Sequence, residues 1–521
     1  VRQAVLAVLL AAGLRAQTLP APLTVERIFG ARDFASHLEQ VHWLDSSTYA
    51  VLAPGAGGTT DLYRVDALSG RREVLIRGAD LVPPGARTPI RIEDFQLSPA
   101  GSRVLLFTNS VRVWRVNTKG TYYLWDLARH RLRPLSRRPG YQMFATFSPD
   151  GKLVGFVRDH DLFVADLTRG IERRLTRDGS ETIINGTTDW VYEEELGLRD
   201  AFRFSPDSRH IAFWHFDQRP VQRYDLLDET PRYPELVSIR YPLAGTENAT
   251  VRLGAVSVRG GPIRWIQTGP DSTAYYPQMD FAGASDSLWF LRLNREQNRL
   301  QLLLADVVTG RSRVVLTDAD STWVNVRVPR WLDGGRRFLL ASERDGYAQL
   351  FLYERAGRLI RKVTSAPWDV LTVHGVDEQS GTVYFTAAAD GPLERPLYAI
   401  GLDGRGFRRI SVDSGTHTVS FSPGLHLYVD VASRAGVPPV ERLYRADGTL
   451  VRVLADNHEL KARIDSLGLV PPEFLKVPTA PGVELNAYLI KPPHFDPAHR
   501  HPLLMYVYGG PGSQTVTDAW G

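Results

Sequence analysis

No cysteine occurs at any of the 521 positions of the chain. Disulfides, thiolate nucleophiles and cysteine-based metal sites are thereby excluded. Stability must come from packed area, which a chain of this length can supply. Long apolar runs are scarce as well. The run from Ala4 to Leu14 is too short for a comfortable membrane span, and no later segment resembles a transmembrane helix. Charge of one sign is not in excess: 62 Lys and Arg stand against 58 Asp and Glu, a formal net charge of +4. The basic residues are scattered, so nucleic-acid binding has no support. Sustained helical periodicity is missing through most of the chain. Phosphate-cradling and dinucleotide-type glycine loops are missing too, as is any G-x-S-x-G elbow.

What remains is a soluble globular composition, 43% apolar and 23% charged, on a chain too long for one ordinary core. Two or more domains, or one large repeat fold, are expected. At the start, Arg2, the short apolar run and Leu14-Arg15-Ala16 ahead of Gln17 read as an export signal over residues 1–16. That reading predicts a periplasmic or secreted protein with no stable membrane insertion after cleavage.

From about residue 40 to 460 one phrase recurs. An apolar strand meets a turn rich in Ser, Pro, Asp or Gly, and another strand follows. Its clear copies are Trp43-Leu44-Asp45, Leu97-Ser98-Pro99, Phe147-Ser148-Pro149-Asp150-Gly151, Phe204-Ser205-Pro206-Asp207, Trp331-Leu332-Asp333-Gly334-Gly335 and Phe421-Ser422-Pro423-Gly424. Weaker copies fit at Asp286-Ser287-Leu288-Trp289 and Val376-Asp377-Glu378. Between copies lie short alternating, β-branched segments and tight turns. A repeat with several strands per unit predicts propeller blades. The phrases count to eight, with seven as the competing number because 205–285 is irregular. That interval, with Pro220, Pro231, Pro234 and Gly260-Gly261, is expected to carry an insertion or hairpin arm. The turn acids Asp150 and Asp207 are expected to be structural.

After Leu460 the pattern changes. Val483 to Lys491 reads as a strand, a proline-rich turn follows, and Leu503 to Tyr508 is almost continuously apolar, as in a strand buried on both faces of an α/β sheet. The expected organisation is a signal over 1–16, an N-terminal segment over 17–39 that packs on the second domain, a mainly β propeller over 40–462, and the first strands of an α/β-hydrolase domain over 463–521. His494 and His499, with Asp496 between them, lack a third convergent ligand and read as loop residues. No metal or cofactor is expected.

One segment is unusual in its charge. In Asp189-Trp190-Val191-Tyr192-Glu193-Glu194-Glu195 three adjacent carboxylates follow two aromatics. Neighbouring acids repel, so they need a cationic partner or open water. Two further motifs accompany this one: Val113-Trp114-Arg115 ahead of Thr121-Tyr122-Tyr123-Leu124-Trp125-Asp126, and Val507-Tyr508-Gly509-Gly510-Pro511-Gly512-Ser513-Gln514.

Taken together, these motifs resemble the dipeptidyl peptidase IV family of serine exopeptidases, in the prolyl oligopeptidase clan and in a bacterial form. The resemblance implies an eight-bladed propeller over an α/β-hydrolase domain, and release of N-terminal X-Pro or X-Ala dipeptides from peptides with a free N-terminus. It also implies a homodimer. By resemblance, Glu194 and Glu195 grip the substrate's ammonium, Arg115 lies beside them and binds the first carbonyl, and Tyr508 donates to the oxyanion. Trp190 and Tyr192 are expected to pack and hold the acidic loop rigid. Ser513 does not sit in a nucleophile elbow. The family's Ser, Asp and His triad falls beyond the matched tyrosine turn, so these 521 residues alone are expected to be inactive, as part of a longer enzyme. Two alternatives stay open. One is an acylaminoacyl peptidase or prolyl endopeptidase of the same clan. The other is a non-catalytic propeller that binds peptides or proteins.

Overall fold

A computed structural model describes residues 23–493, 495–510 and 512–521. The expected export signal and His494 lie outside the described residues. Among the described residues, eight successive units of antiparallel strands span 42–76, 94–134, 142–174, 183–265, 279–319, 330–362, 370–409 and 416–455. They are blades 1 to 8 of a β-propeller. Blades 2 and 3 are additionally stitched together where Lys119 and Gly120 pair with Met143 and Gln142.

Strand alternation explains the ring. In the strand His210–Asp217 of blade 4, Ile211 and Phe213 point into a core shared with blade 3. Ala212, Trp214 and Phe216 point the other way, into a core shared with blade 5. A period of two thus gives each blade two apolar faces. Such shared cores join every consecutive pair of blades. The ring closes through a further core in which Tyr49, Val51 and Val65 of blade 1 meet Leu427, Val429 and Leu443 of blade 8. No strand is exchanged at this seam, since each blade is built from one stretch of chain. Side-chain contacts reinforce it: Trp43 Nε1 donates to the Ser420 carbonyl at 3.1 Å, and the Glu39 amide donates to Glu441 Oε2 at 2.6 Å. The segment before blade 1 therefore lies along blade 8, where His37 also bonds Asn457.

The recurring phrase has one structural meaning. All eight copies are the turn between the first and second strands of a blade. The serine hydroxyl closes the turn: Ser148 Oγ accepts from the Leu153 amide at 3.0 Å and donates to Asp150 at 2.7 Å, and Ser205 does the same with His210 and Asp207. The turn acids are thus occupied in holding backbone.

Fourth strands form the rim, because Val74, Ile171, Val314, Leu359, Leu450 and Val453 on them are exposed. First strands therefore face the axis. Antiparallel order places all first-to-second-strand turns on one face of the disc and all second-to-third-strand hairpins on the other. The second-to-third connection of blade 4 is the long one and carries an extra hairpin, Arg223–Asp228 paired with Glu235–Arg240.

Beyond blade 8, the helix His458–Ser466 leads to a separate hairpin of Glu473–Ala480 and Val483–Leu489. The expectation of a buried strand at 503–508 is corrected. Residues 503–508 form no strand, and Leu504 is 94% exposed. The reason is physical: a strand buried on both faces needs neighbours, and none of the described residues pairs with it. Residues 514–520 do have partners on the propeller. Gln514 bonds Arg395 and the Pro392 carbonyl, each at 2.6 Å, and Asp518 accepts from the Ala435 amide at 2.7 Å.

Candidate active site

The first strand of blade 4 is interrupted. Ile183–Asn185 pairs with His215–Asp217, and Phe202–Phe204 resumes the pairing lower down with Ile211–Phe213. Residues 186–201 bulge out between them, from an axis-facing strand. Trp214 pins the base of this excursion. Its carbonyl accepts from Gly186 at 3.0 Å, and its amide donates to the Ala201 carbonyl at 3.0 Å. Gly186 has φ +75°, and a Cβ there would meet Val157 at 2.9 Å, so glycine is required.

Within the excursion, Trp190–Glu194 forms a short helix, α1. Asp189 caps it by accepting from the Tyr192 amide at 3.0 Å. Burial pushes the Asp189 carboxyl up to about 6. Tyr192 anchors the helix from inside. Its hydroxyl accepts from the Tyr276 amide at 2.8 Å, its ring packs edge-on against Phe216, and burial raises its pKa well above the ordinary phenol value. Trp190 packs edge-on against Tyr241 at 4.5 Å. Sequence reasoning named Asp189 only as the first residue of the acidic motif, without a capping role, and did not name Tyr276. The cap was detectable, as an Asp three residues before the amide it serves; the Tyr276 contact comes from the next blade and was not.

The three acids meet three environments. Glu193 is 6% exposed, and its pKa is raised by burial while Arg199, 3.5 Å away, pulls it back. Glu194 is held by Arg115 from blade 2, whose Nε and Nη2 reach the two carboxylate oxygens at 2.6 and 2.5 Å. Glu195 is exposed. Arg115 stands at the tip of the hairpin of Arg103–Arg112 and Asn117–Asp126, where Trp114 has φ +29° and its carbonyl accepts from Arg112 at 2.9 Å. The hydrogen bond to Glu194, then that residue's charge, raises the Arg115 pKa, with a smaller contribution from the Tyr508 phenol. Tyr508 is therefore within electrostatic reach of Arg115, although it is itself exposed. His499, in contrast, pairs with Asp496 in an exposed turn, where His501 also meets the Asp496 carbonyl.

This arrangement has definite chemical capacity. The guanidinium is three-quarters exposed, so the fork adds little to stability. It fixes the orientation of Glu194, and each carboxylate oxygen keeps a further lone pair free. Glu194, Glu195 and Arg115 together carry one net negative charge. A group with one positive charge and several N–H donors completes the set.

Residues 98–439 match the family model described as the dipeptidyl peptidase IV N-terminal region. The chain belongs to the dipeptidyl peptidase IV family. The crystal structure of dipeptidyl peptidase 4 from Porphyromonas gingivalis superposes with a TM-score of 0.90 at 31% identity, covering 97% of this chain and 72% of that one. Dipeptidyl peptidase 4 of Trichophyton rubrum is 27% identical over 85% of this chain and 58% of its own length. A probable dipeptidyl-aminopeptidase B of Aspergillus clavatus is 29% identical over 95% of this chain and 59% of its own. The chain thus spans a little under three fifths of the curated family members it matches.

Proposed function

We propose that this chain is the substrate-gripping part of a serine-type dipeptidyl aminopeptidase that releases N-terminal X-Pro or X-Ala dipeptides. The observation that carries the reading is the two-pronged contact of Arg115 with Glu194 beside an exposed Glu195 that has no ion pair among the described residues. An exopeptidase must measure distance from a charged chain end. Two carboxylates share an ammonium through charge-assisted hydrogen bonds, strongest where protein walls exclude competing water. A blocked amine forfeits those bonds, and a longer chain meets the wall behind them. In this reading the Arg115 N–H groups left over by Glu194 donate to the first peptide carbonyl.

Tyr508 supplies an O–H to the charge developing on the tetrahedral intermediate, a donor typically worth about 3 kcal/mol. The serine, histidine and aspartate of acyl transfer lie outside these 521 residues, which contain no G-x-S-x-G sequence. A periplasmic or secreted location follows from the leading sequence alone. A homodimer is supported by the blade 4 hairpin, which exposes Leu227, Tyr233 and Leu236. A Leu227→Asp, Leu236→Asp variant that still sediments as a dimer would move the contact elsewhere.

The ammonium clamp is tested by Glu194→Gln and Glu195→Gln in a protein carrying this chain with its triad. Each lowers kcat/KM for a free-amine X-Pro-arylamide by roughly 100-fold, on the loss of one charge-assisted bond of about 3 kcal/mol. Parental kcat/KM in both variants refutes the assignment.

A further inference from the structure

The end of the axis opposite the acidic cluster holds a cavity of about 600 Å³. Its wall comes from the first strands of blades 6, 7, 8 and 1 and the turn that follows in blade 8, so it is the mouth of the central channel on the first-to-second-turn face. Arg330 lines it. Among the described residues no carboxylate lies within ion-pair distance of this arginine. Its Nη2 makes only long contacts, 3.4 Å each, to the carbonyls of Val373 and His374. Water reaches the guanidinium, yet the surrounding wall displaces enough of it to lower the Arg330 pKa.

His374 stands beside it in the same wall. Its Nε2 is buried and has no hydrogen-bond partner among the described residues. Burial, then the neighbouring Arg330, lowers its pKa to about 4, so at neutral pH it offers a neutral imidazole. Trp43 and Phe421 supply an apolar side to the cavity, and the Trp43 indole is fixed by its bond to the Ser420 carbonyl. An arginine and a histidine thus share a concave site in which their surroundings provide no negative charge. Guanidinium forks match carboxylates in shape as well as sign.

We infer that this mouth of the channel is a second binding site, which takes the C-terminal carboxylate of a peptide whose amino end lies at Glu194 and Glu195. The inference rests on the reading above for the position of the amino end. Direction and length follow. The longest first strand lining the cavity, Val370–Asp377 of blade 7, runs eight residues, which spans roughly 25 Å at about 3.3 Å per residue and sets the upper scale of the channel's depth. An extended peptide of roughly eight to ten residues reaches from one site to the other. The chain then favours short peptides lying along the axis, amino end towards the clamp.

The test is calorimetric titration of the full chain with one X-Pro nonapeptide, prepared as free acid and as C-terminal amide. The free acid is expected to bind about tenfold tighter, the scale of a charge-assisted bond. In Arg330→Gln the two forms bind equally. An X-Pro tripeptide, too short to span, shows no acid preference in the unmodified chain, a comparison that needs no variant. Equal binding of acid and amide nonapeptides overturns the inference, as does a preference that survives Arg330→Gln or appears equally in the tripeptide. The amide carrying an internal Glu regains the preference only if a side chain serves in place of the terminus, and that too overturns it. N-acetylating the nonapeptide separates the two readings. If acetylation changes nothing while the acid preference persists, the ammonium clamp fails and the carboxylate site stands.

Discussion

The acidic excursion of blade 4 and the apolar stretch 503–508 invert the usual rule of what is inside. Glu193 is 6% exposed and Leu504 is 94% exposed. Residue type does not decide this; supplied neighbours do. The excursion is pinned at its base by Trp214, capped by Asp189, anchored through Tyr192 to the next blade and met by arginines from two elements. An acid can then sit inside because Arg199 approaches it at 3.5 Å, although Glu193 Oε1 has no hydrogen-bond partner among the described residues and burial raises its pKa. Residues 503–508 have strong strand character and no strand beside them among the described residues, so their apolar atoms stay in water.

The comparison breaks most severely at Trp214. Its ring is fully buried between blades 4 and 5, and its indole N–H donates to the Tyr276 carbonyl at 2.8 Å. Trp214→Ala is expected to cost about 3–5 kcal/mol in chemical denaturation, and to loosen α1 along with the blade.

A second effect is set by pH. Folding raises the Asp189 pKa to about 6, above its unfolded value, so the folded state binds the extra proton in between. Stability contributed by the protonated acid is present at pH 4 and is lost as pH rises towards 6 and beyond. The shift corresponds to at most about 3 kcal/mol. Asp189→Asn keeps a capping oxygen and removes the titration. Thermal melts of the two proteins should therefore diverge between pH 4 and 6.5, with the variant relatively more stable at the upper end. Parallel pH profiles would show that Asp189 does not carry the effect.

At the other extreme, Leu504→Ser should change stability by less than about 0.5 kcal/mol, because nothing packs on it. It should nonetheless reduce binding of a hydrophobic dye, since the exposed run loses apolar area. A large loss of stability would mean that the stretch is covered in solution.

The eight turn phrases were legible because each is local: a serine hydroxyl or an acid within a few residues holds the turn, as Ser98 does in blade 2, Ser148 with Asp150 in blade 3 and Asp45 in blade 1. Arg115 and the acids could be grouped only through the resemblance, since 79 positions separate the arginine from Glu194. Their contact comes from a hairpin tip of blade 2 reaching a bulge of blade 4. Which of the three acids is buried was not legible, because burial depends on Arg199 and on the pitch of a five-residue helix. The Arg330 cavity was invisible for the same kind of reason, its walls being drawn from four blades. The exposure of 503–508 was misread because continuous hydrophobicity specifies what a strand needs and not whether it receives it.

The clamp is tested most directly by one ratio: kcat/KM for a free-amine Gly-Pro-arylamide over that for its N-acetylated twin, measured on a protein carrying this chain with its triad. The account predicts a ratio of at least about 100, from the loss of charge-assisted bonds to Glu194 and Glu195. A ratio near one, or a preference for the blocked substrate, would contradict it.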